Sequence, residues 1–279
     1  MAPELTNPRA ERVAAVRALS GRSPSSASAR RRTGTFLVEG PQGVREAVRF
    51  APERVRELFV SETAHARHPE IVEDALAAGL RVRTASDEVA RVMSPDAQGV
   101  LAVLAIVPVR LEDALAASAP RLVALLARVR DPGNAGTVIR AADAAGAELV
   151  VVTAESVDVH SPKVVRSSAG SLFHLPVVTG VELADAAPLL RGAGLTILAA
   201  DGRGERDLDE LLDTAGSGSA PDLAAPTAWL FGNEAWGLPD TDLALADAAV
   251  RVPIRGHAES LNLATAAAVC LFASARAQR

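Results

Sequence analysis

Short unbroken apolar runs separated by amphipathic stretches recur along the whole chain. Thr35–Glu39, Val55–Val60, Leu80–Arg83 and Gly99–Val107 read as strands. Between them, Gln42–Phe50 has helical spacing at Val44, Ala47 and Val48, Pro69–Ala78 closes on Gly79 in the C-cap position, and Asp87–Met93 reads as a short helix. An Arg-bearing helix precedes them, followed by a Ser-rich break over Gly21–Ser28 that reads as a loop. The second half repeats the rhythm more strongly. Leu122–Val129, Glu148–Thr153, Leu175–Thr179, Leu195–Ala200, Ala228–Gly232 and Ala249–Ile254 read as strands, the first apolar enough to be buried on both faces. A tight loop at Asp131–Asn134 leads into a helix ending near Ala145, Ser161-Pro162 starts another, and a last helix spans Leu261–Ala277. Thr214–Pro226, rich in Gly, Ser, Ala and Pro, predicts a flexible surface insertion.

Strands alternating with helices predict a smaller α/β domain over residues 1–107, a linker at 108–120 between prolines, and a doubly wound parallel sheet over 121–279. No internal repeat is visible.

Composition narrows the chemistry. Aromatics are 3% of the chain and Tyr is absent, so the core must be Ala, Val and Leu, and a surface that stacks many bases is disfavoured. The single cysteine, Cys270, rules out an intramolecular disulfide and a Cys-rich zinc site, and the scattered histidines complete no ligand set, so no metal is expected. No secretory signal or membrane span is expected, which makes the cytoplasm the simplest compartment. Net charge is −5, yet the first 35 residues carry arginines at 9, 12, 17, 22, 30, 31 and 32 against Glu4 and Glu11. That local excess suits an anionic partner such as RNA; a solvated, partly disordered arm would carry it equally well.

Three polar loops follow predicted strands, where open α/β sheets bind ligands. The first, Arg130–Arg140, holds Asn134 near a helix start and Arg140 about two turns further in. Alone, these are an ordinary N-cap Asn and a surface Arg. The second, Leu230–Pro239, places Gly232 directly after a buried strand, where backbone can approach a ligand, with Asn233 and Glu234 beyond it. The third, Val252–Leu263, has Ser260 opening the last helix, and Asn262 in its first turn, a position where Asn is disfavoured unless it binds something.

Together, Asn134 and Arg140, Gly232-Asn-Glu234-Ala-Trp-Gly237, and Pro253 with Ser260-Leu261-Asn262 resemble, in order and spacing, the three motifs of the SpoU/TrmH family of SPOUT-class RNA methyltransferases. The resemblance covers about 120–279. It is weaker over 30–107, where Phe36-Leu-Val-Glu-Gly40 and Gln98-Gly-Val-Leu-Ala102 look like the RNA-binding domain that often precedes the catalytic one. The resemblance implies S-adenosyl-L-methionine-dependent 2′-O-methylation of a ribose in structured RNA, a deep trefoil knot, and a homodimer whose site is completed across its interface. It implies Arg140 at the ribose as proton acceptor; a guanidinium stays protonated, so clamping a phosphate or stabilising the alkoxide is the alternative. It places Asn134, Glu234, Ser260 and Asn262 as positioning groups, and the cofactor near Leu198, Gly232, Asn233, Val252 and Leu261.

The separate N-terminal domain leans toward ribosomal RNA, with transfer RNA the alternative. Two other readings compete: a non-catalytic RNA-binding protein on the same fold, and a nucleotide-dependent oxidoreductase. Against the second, Gly202-Arg-Gly204 follows a strand but lacks the third glycine of a dinucleotide fingerprint. A serine hydrolase built on Ser260 lacks the surrounding glycines.

Overall fold

The structure is a computed structural model that describes residues 3–21 and 23–279. Arg22, one of the N-terminal arginines, lies outside the described residues. The chain divides into two compact units: the part up to Val107 together with Asp158–His174, and Pro108–Val157 together with Leu175–Arg279.

In the first unit, β1 (Thr35–Glu39), β2 (Val55–Ser61), β3 (Val82–Ala85) and β4 (Val100–Ala105) form a sheet of order β1-β4-β2-β3. β4 runs antiparallel to β1 and β2, while β2 and β3 are parallel, so the sheet is mixed. The expected strand at Leu80–Arg83 begins two residues later. Leu80 N–H is spent on the Ala75 carbonyl and Gly79, at φ +73°, on Leu76, closing the preceding helix before a strand can begin.

The Ser-rich stretch is a loop only at its start. Helix Pro24–Thr33 begins inside it, with the Ser23 hydroxyl accepting from Ser26 N–H and Pro24 in the first turn. Helix Pro162–Ser167 also begins with Ser-Pro, though Ser161 makes no side-chain cap bond. The N-terminal segment is packed: Val13, Val16, Leu19 and Ala29 join the core around Phe59 and Leu101. Arg30 is 3% exposed, donating to the Leu19 and Gly21 carbonyls and pairing with Asp158 at 2.8 Å. Arg9, Arg17, Arg31 and Arg32 are exposed. Arg166 pairs with buried Glu39, which also accepts from Ser94 at 2.5 Å. Gly170 (φ +103°) lies so close to Glu46 that an added Cβ would stand 2.4 Å from its Cγ.

The second unit is an all-parallel sheet. Its strands are β5 (Leu122–Leu126), β6 (Leu149–Thr153), β7 (Val177–Val181), β8 (Thr196–Ala200), β9 (Arg206–Asp207), β10 (Thr227–Phe231) and β11 (Ala248–Arg251). Their order is β7-β6-β5-β10-β8-β11-β9, each neighbouring pair parallel. The chain runs one way through β5, β6 and β7, then places the later strands on the other side of β5. That reversal opens a crevice beyond the carboxyl ends. Phe231 pairs with Leu126 and Val250 with Ala200, so four strands end nearly level at its mouth.

The run Leu122–Val129 leaves the sheet at Leu126, because Arg128 turns the chain at φ +57°. The stretch 108–120 carries helix Leu111–Ser118, with Leu111, Ala114 and Leu115 in the second unit's core. Thr214–Pro226 is a surface segment pinned by fully buried Leu223 and by Asp222, which accepts from Gly216 and Ala224 N–H. β9 and helix Leu208–Asp213 were not expected from the pattern. The last helix, Leu263–Ala277, buries Ala264, Ala267, Cys270, Leu271 and Ser274, while Val269 and Phe272 stay 40% and 50% exposed. Burial pushes the Cys270 thiol up to about 12, leaving it inert at neutral pH. Among the described residues, no helix is long and apolar enough to cross a membrane.

Candidate active site

The helix after β5, Pro132–Ala144, starts on Asp131, whose carboxylate accepts from Asn134 N–H at 2.8 Å. Asp131, not Asn134, is therefore the N-cap, and the Asn134 amide is free to reach outward. It donates to Glu234 Oε1 at 3.2 Å, and its oxygen accepts from Asn262 Nδ2 at 3.0 Å. Glu234 also accepts the Asp131 and Arg130 backbone N–H groups at 3.1 and 3.3 Å. Asn262 caps the last helix, its side-chain oxygen accepting from Ala264 and Thr265 N–H. One chain of hydrogen bonds, Glu234–Asn134–Asn262, thus ties all three polar loops together, with each amide nitrogen donating and each amide oxygen accepting.

Arg140 and Ser260 stand apart. Both are exposed, and their side chains form no hydrogen bond among the described residues. Arg140 lies about 9 Å of helix rise beyond Asn134. Ser260 does not open the last helix as expected; it precedes the Asn262 cap by two residues and lines the adjoining cavity.

That cavity, about 310 Å³, lies beyond the ends of β8, β10 and β11. Gly232, Asn233, Val252 and Leu261 line it; Leu198 does not, being fully buried in the middle of β8, two residues short of Ala200 at the wall. The Asn233 side chain serves the loop, donating to the Arg128 carbonyl at 2.9 Å and accepting from Ala235 N–H. Gly232 allows a close approach, but to its own loop: an added Cβ would stand 2.6 Å from the Gly237 carbonyl carbon.

Residues missed in the sequence complete the walls. Asp201, directly after β8, lines the cavity and accepts two side-chain bonds from Arg203, which hold its carboxyl below the usual range. Gly204 lets that loop lie on β11, where an added Cβ would meet the Ala249 carbonyl at 2.8 Å. The same strand-end rule that found the other loops would have found Asp201, had Gly202-Arg-Gly204 not been read only as a failed dinucleotide motif. Arg128 anchors the first loop, pairing with Asp242 at 2.9 Å, a bond that raises its own pKa.

Apolar Val252, Ile254 and Leu261 beside the carboxylates Asp201, Glu234 and Glu259 suit a ligand with a flat apolar end and a positive end. Fold and site together define a protein that binds a ligand at the carboxyl ends of a parallel sheet, as cofactor-dependent α/β enzymes do. Comparison with known proteins narrows this. Residues 121–272 match the SpoU rRNA Methylase family, and 37–108 match the RNA 2′-O ribose methyltransferase substrate-binding region. The chain belongs to the SpoU family of S-adenosylmethionine-dependent RNA 2′-O-ribose methyltransferases, with a substrate-binding region ahead of the catalytic one. It is 33% identical to a 23S rRNA (guanosine(2553)-2′-O)-methyltransferase of Bacillus subtilis over 87% of this chain and 89% of that one. Against a 23S rRNA (uridine(2479)-2′-O)-methyltransferase of Streptomyces viridochromogenes, 38% identity spans 54% of this chain and 51% of that one. An AdoMet-bound rRNA methyltransferase structure from Sinorhizobium meliloti superposes with a TM-score of 0.79 at 29% identity, covering 98% and 97% of the two chains. The resemblance drawn from the three loops holds, and family membership implies the knot through them.

Proposed function

We propose that this chain methylates a ribose 2′-hydroxyl of structured ribosomal RNA, using the Glu234–Asn134–Asn262 chain, Ser260 and Arg140. The observation that carries this is the hydrogen-bonded tie between three loops beside a cavity suited to the cofactor. Bound S-adenosylmethionine supplies a methyl group already activated on a sulfonium. Gly232, Val252 and Leu261 hold its apolar end, and Asp201, Glu234 and Glu259 favour its positive charge. Leu198 supports the wall from behind, and Asn233 fixes the loop's shape. Asn134 and Asn262 are held in one orientation, so they position RNA without reorganising. Arg140, an exposed guanidinium, clamps an RNA phosphate and stabilises the oxygen as its proton passes to solvent water.

Residues 1–107 form the RNA substrate-binding domain, 108–120 the connection and 121–279 the methyltransferase domain. Ribosomal RNA is favoured over tRNA because both relatives above are named for 23S rRNA and the substrate-binding region is present. Arg140 is not tied to the bonded chain in one copy, and the last helix exposes Val269 and Phe272, which supports a homodimer that completes the site. A ribosomal substrate favours the cytoplasm as its compartment. The test is methyl transfer from labelled cofactor to purified 23S rRNA, 16S rRNA and tRNA by wild type and Arg140→Ala, with oligomeric state measured by sedimentation. Label in rRNA, lost in the variant, supports the proposal; label confined to tRNA overturns the substrate, and no label in any pool overturns the activity.

A further inference from the structure

The chain has two tryptophans, and they are opposites. Trp229 is fully buried in β10, its indole N–H donating to Ser274 Oγ at 2.8 Å. Trp236 is 60% exposed in the loop after β10. A single exposed apolar side chain is ordinary; the backbone beneath this one is not. Asn233 and Gly237 exchange both backbone hydrogen bonds, at 3.0 and 2.9 Å, with Gly237 at φ +68°. Asn233 locks the turn from inside through the Arg128 carbonyl and Ala235 N–H, and Glu234 locks it from outside through Asn134 and two backbone amides. The turn is fixed on both sides of an indole left in solvent.

Direction matters as much as rigidity. Ala235 and Gly237 line the cofactor cavity, whereas Trp236 between them is turned to solvent rather than forming its wall. Glu234, two residues before it, accepts from Asn134, so the turn that carries Trp236 adjoins the bonded chain. Arg130, whose N–H also reaches Glu234, presents an exposed guanidinium. An exposed aromatic ring on a fixed turn, in a loop bonded to one that carries an exposed arginine, suits an unpaired nucleotide, base on the ring and phosphate on the arginine.

We propose that Trp236 is a stacking platform for an unpaired base at or beside the methylated nucleotide, so that the enzyme selects a loop or bulge over duplex RNA. This rests on the function proposed above. The test compares wild type, Trp236→Ala and Trp236→Phe with a 23S rRNA transcript, and with a short mixed-sequence RNA presented single-stranded or as duplex. Loss of one stacked base weakens binding about 5- to 150-fold. The Ala variant is expected to raise KM for the transcript within that range, the Phe variant to stay within a few-fold of wild type, and cofactor affinity to be unchanged. Tryptophan emission, after subtraction of the Phe variant, is expected to be quenched by the single strand and not by the duplex. Unchanged KM in Trp236→Ala, equal quenching by duplex, loss of cofactor binding, or a change of oligomeric state each overturns the proposal. If wild type transfers no methyl group to any RNA, the underlying function falls, while the quenching comparison still decides the role of the indole.

Discussion

Two groups of polar residues, one in each unit, use charge in opposite ways. In the first, Arg30 and Glu39 are nearly sealed from solvent and ion-paired, with Asp158 and Arg166 as partners. In the second, Glu234, Asn134 and Asn262 are bonded at the open ends of strands, and Arg140 is exposed and unpaired. A buried, satisfied ion has no affinity left to offer a ligand, and removing its partner harms the fold. An exposed guanidinium on a fixed helix contributes little to stability and is available to an anion. Stability and chemistry are therefore expected to separate by unit.

The largest test of that separation is Arg140→Ala. Methyl transfer should fall about 100- to 1,000-fold while the thermal midpoint is unchanged, measured by initial rates and by melting of the same samples. Arg30→Ala should do the reverse. It strands Asp158 and two backbone carbonyls, costs about 3 kcal/mol in urea unfolding, and leaves cofactor affinity intact by calorimetry.

A pH dependence belongs to the first unit. Burial pushes His160 down to about 4, with Arg54 and Arg30 also opposing its charge and Asp158 favouring it. The unfolded chain takes up this proton near pH 6.5 and the folded chain does not, so the contribution is fully present above 6.5 and lost as pH falls toward about 4. The loss approaches roughly 3 kcal/mol. His160→Phe keeps a ring against Phe36, 4.7 Å away in the native pair, and should flatten this limb of the stability–pH curve relative to wild type. The smallest and sharpest change is Asn262→Asp. It keeps the cap acceptor and deletes the donor to Asn134, so stability should move by under about 0.5 kcal/mol while activity drops about tenfold. Equal losses in both would mean Asn262 is only a cap.

The positions of the site loops were legible in the sequence because Gly, Pro and Asn punctuate the ends of apolar runs. The bonding among them was not. Asn134 looked like a cap until Asp131 took that role, and Ser260 looked like the helix start that Asn262 provides. Leu198 is a mid-strand residue covered on both faces, while Ala200, Asp201 and Gly202, at and beyond the strand's end, line the cavity. β9 has two residues, too few for any periodicity. The helix at Pro24 was hidden by serines that propensity assigns to loops and that here serve as a cap and an internal contact. A knot leaves no trace in local pattern, and only the family carries it.

The central claim is that the methyl group goes to the ribose, and alkali reads this directly because strand cleavage requires a free 2′-hydroxyl. Ribosomal RNA labelled by the enzyme is digested with alkali and its products are separated by size. The account predicts label in alkali-resistant dinucleotides, absent with Arg140→Ala. Label released in mononucleotides would mean the methyl group sits on a base and would contradict it.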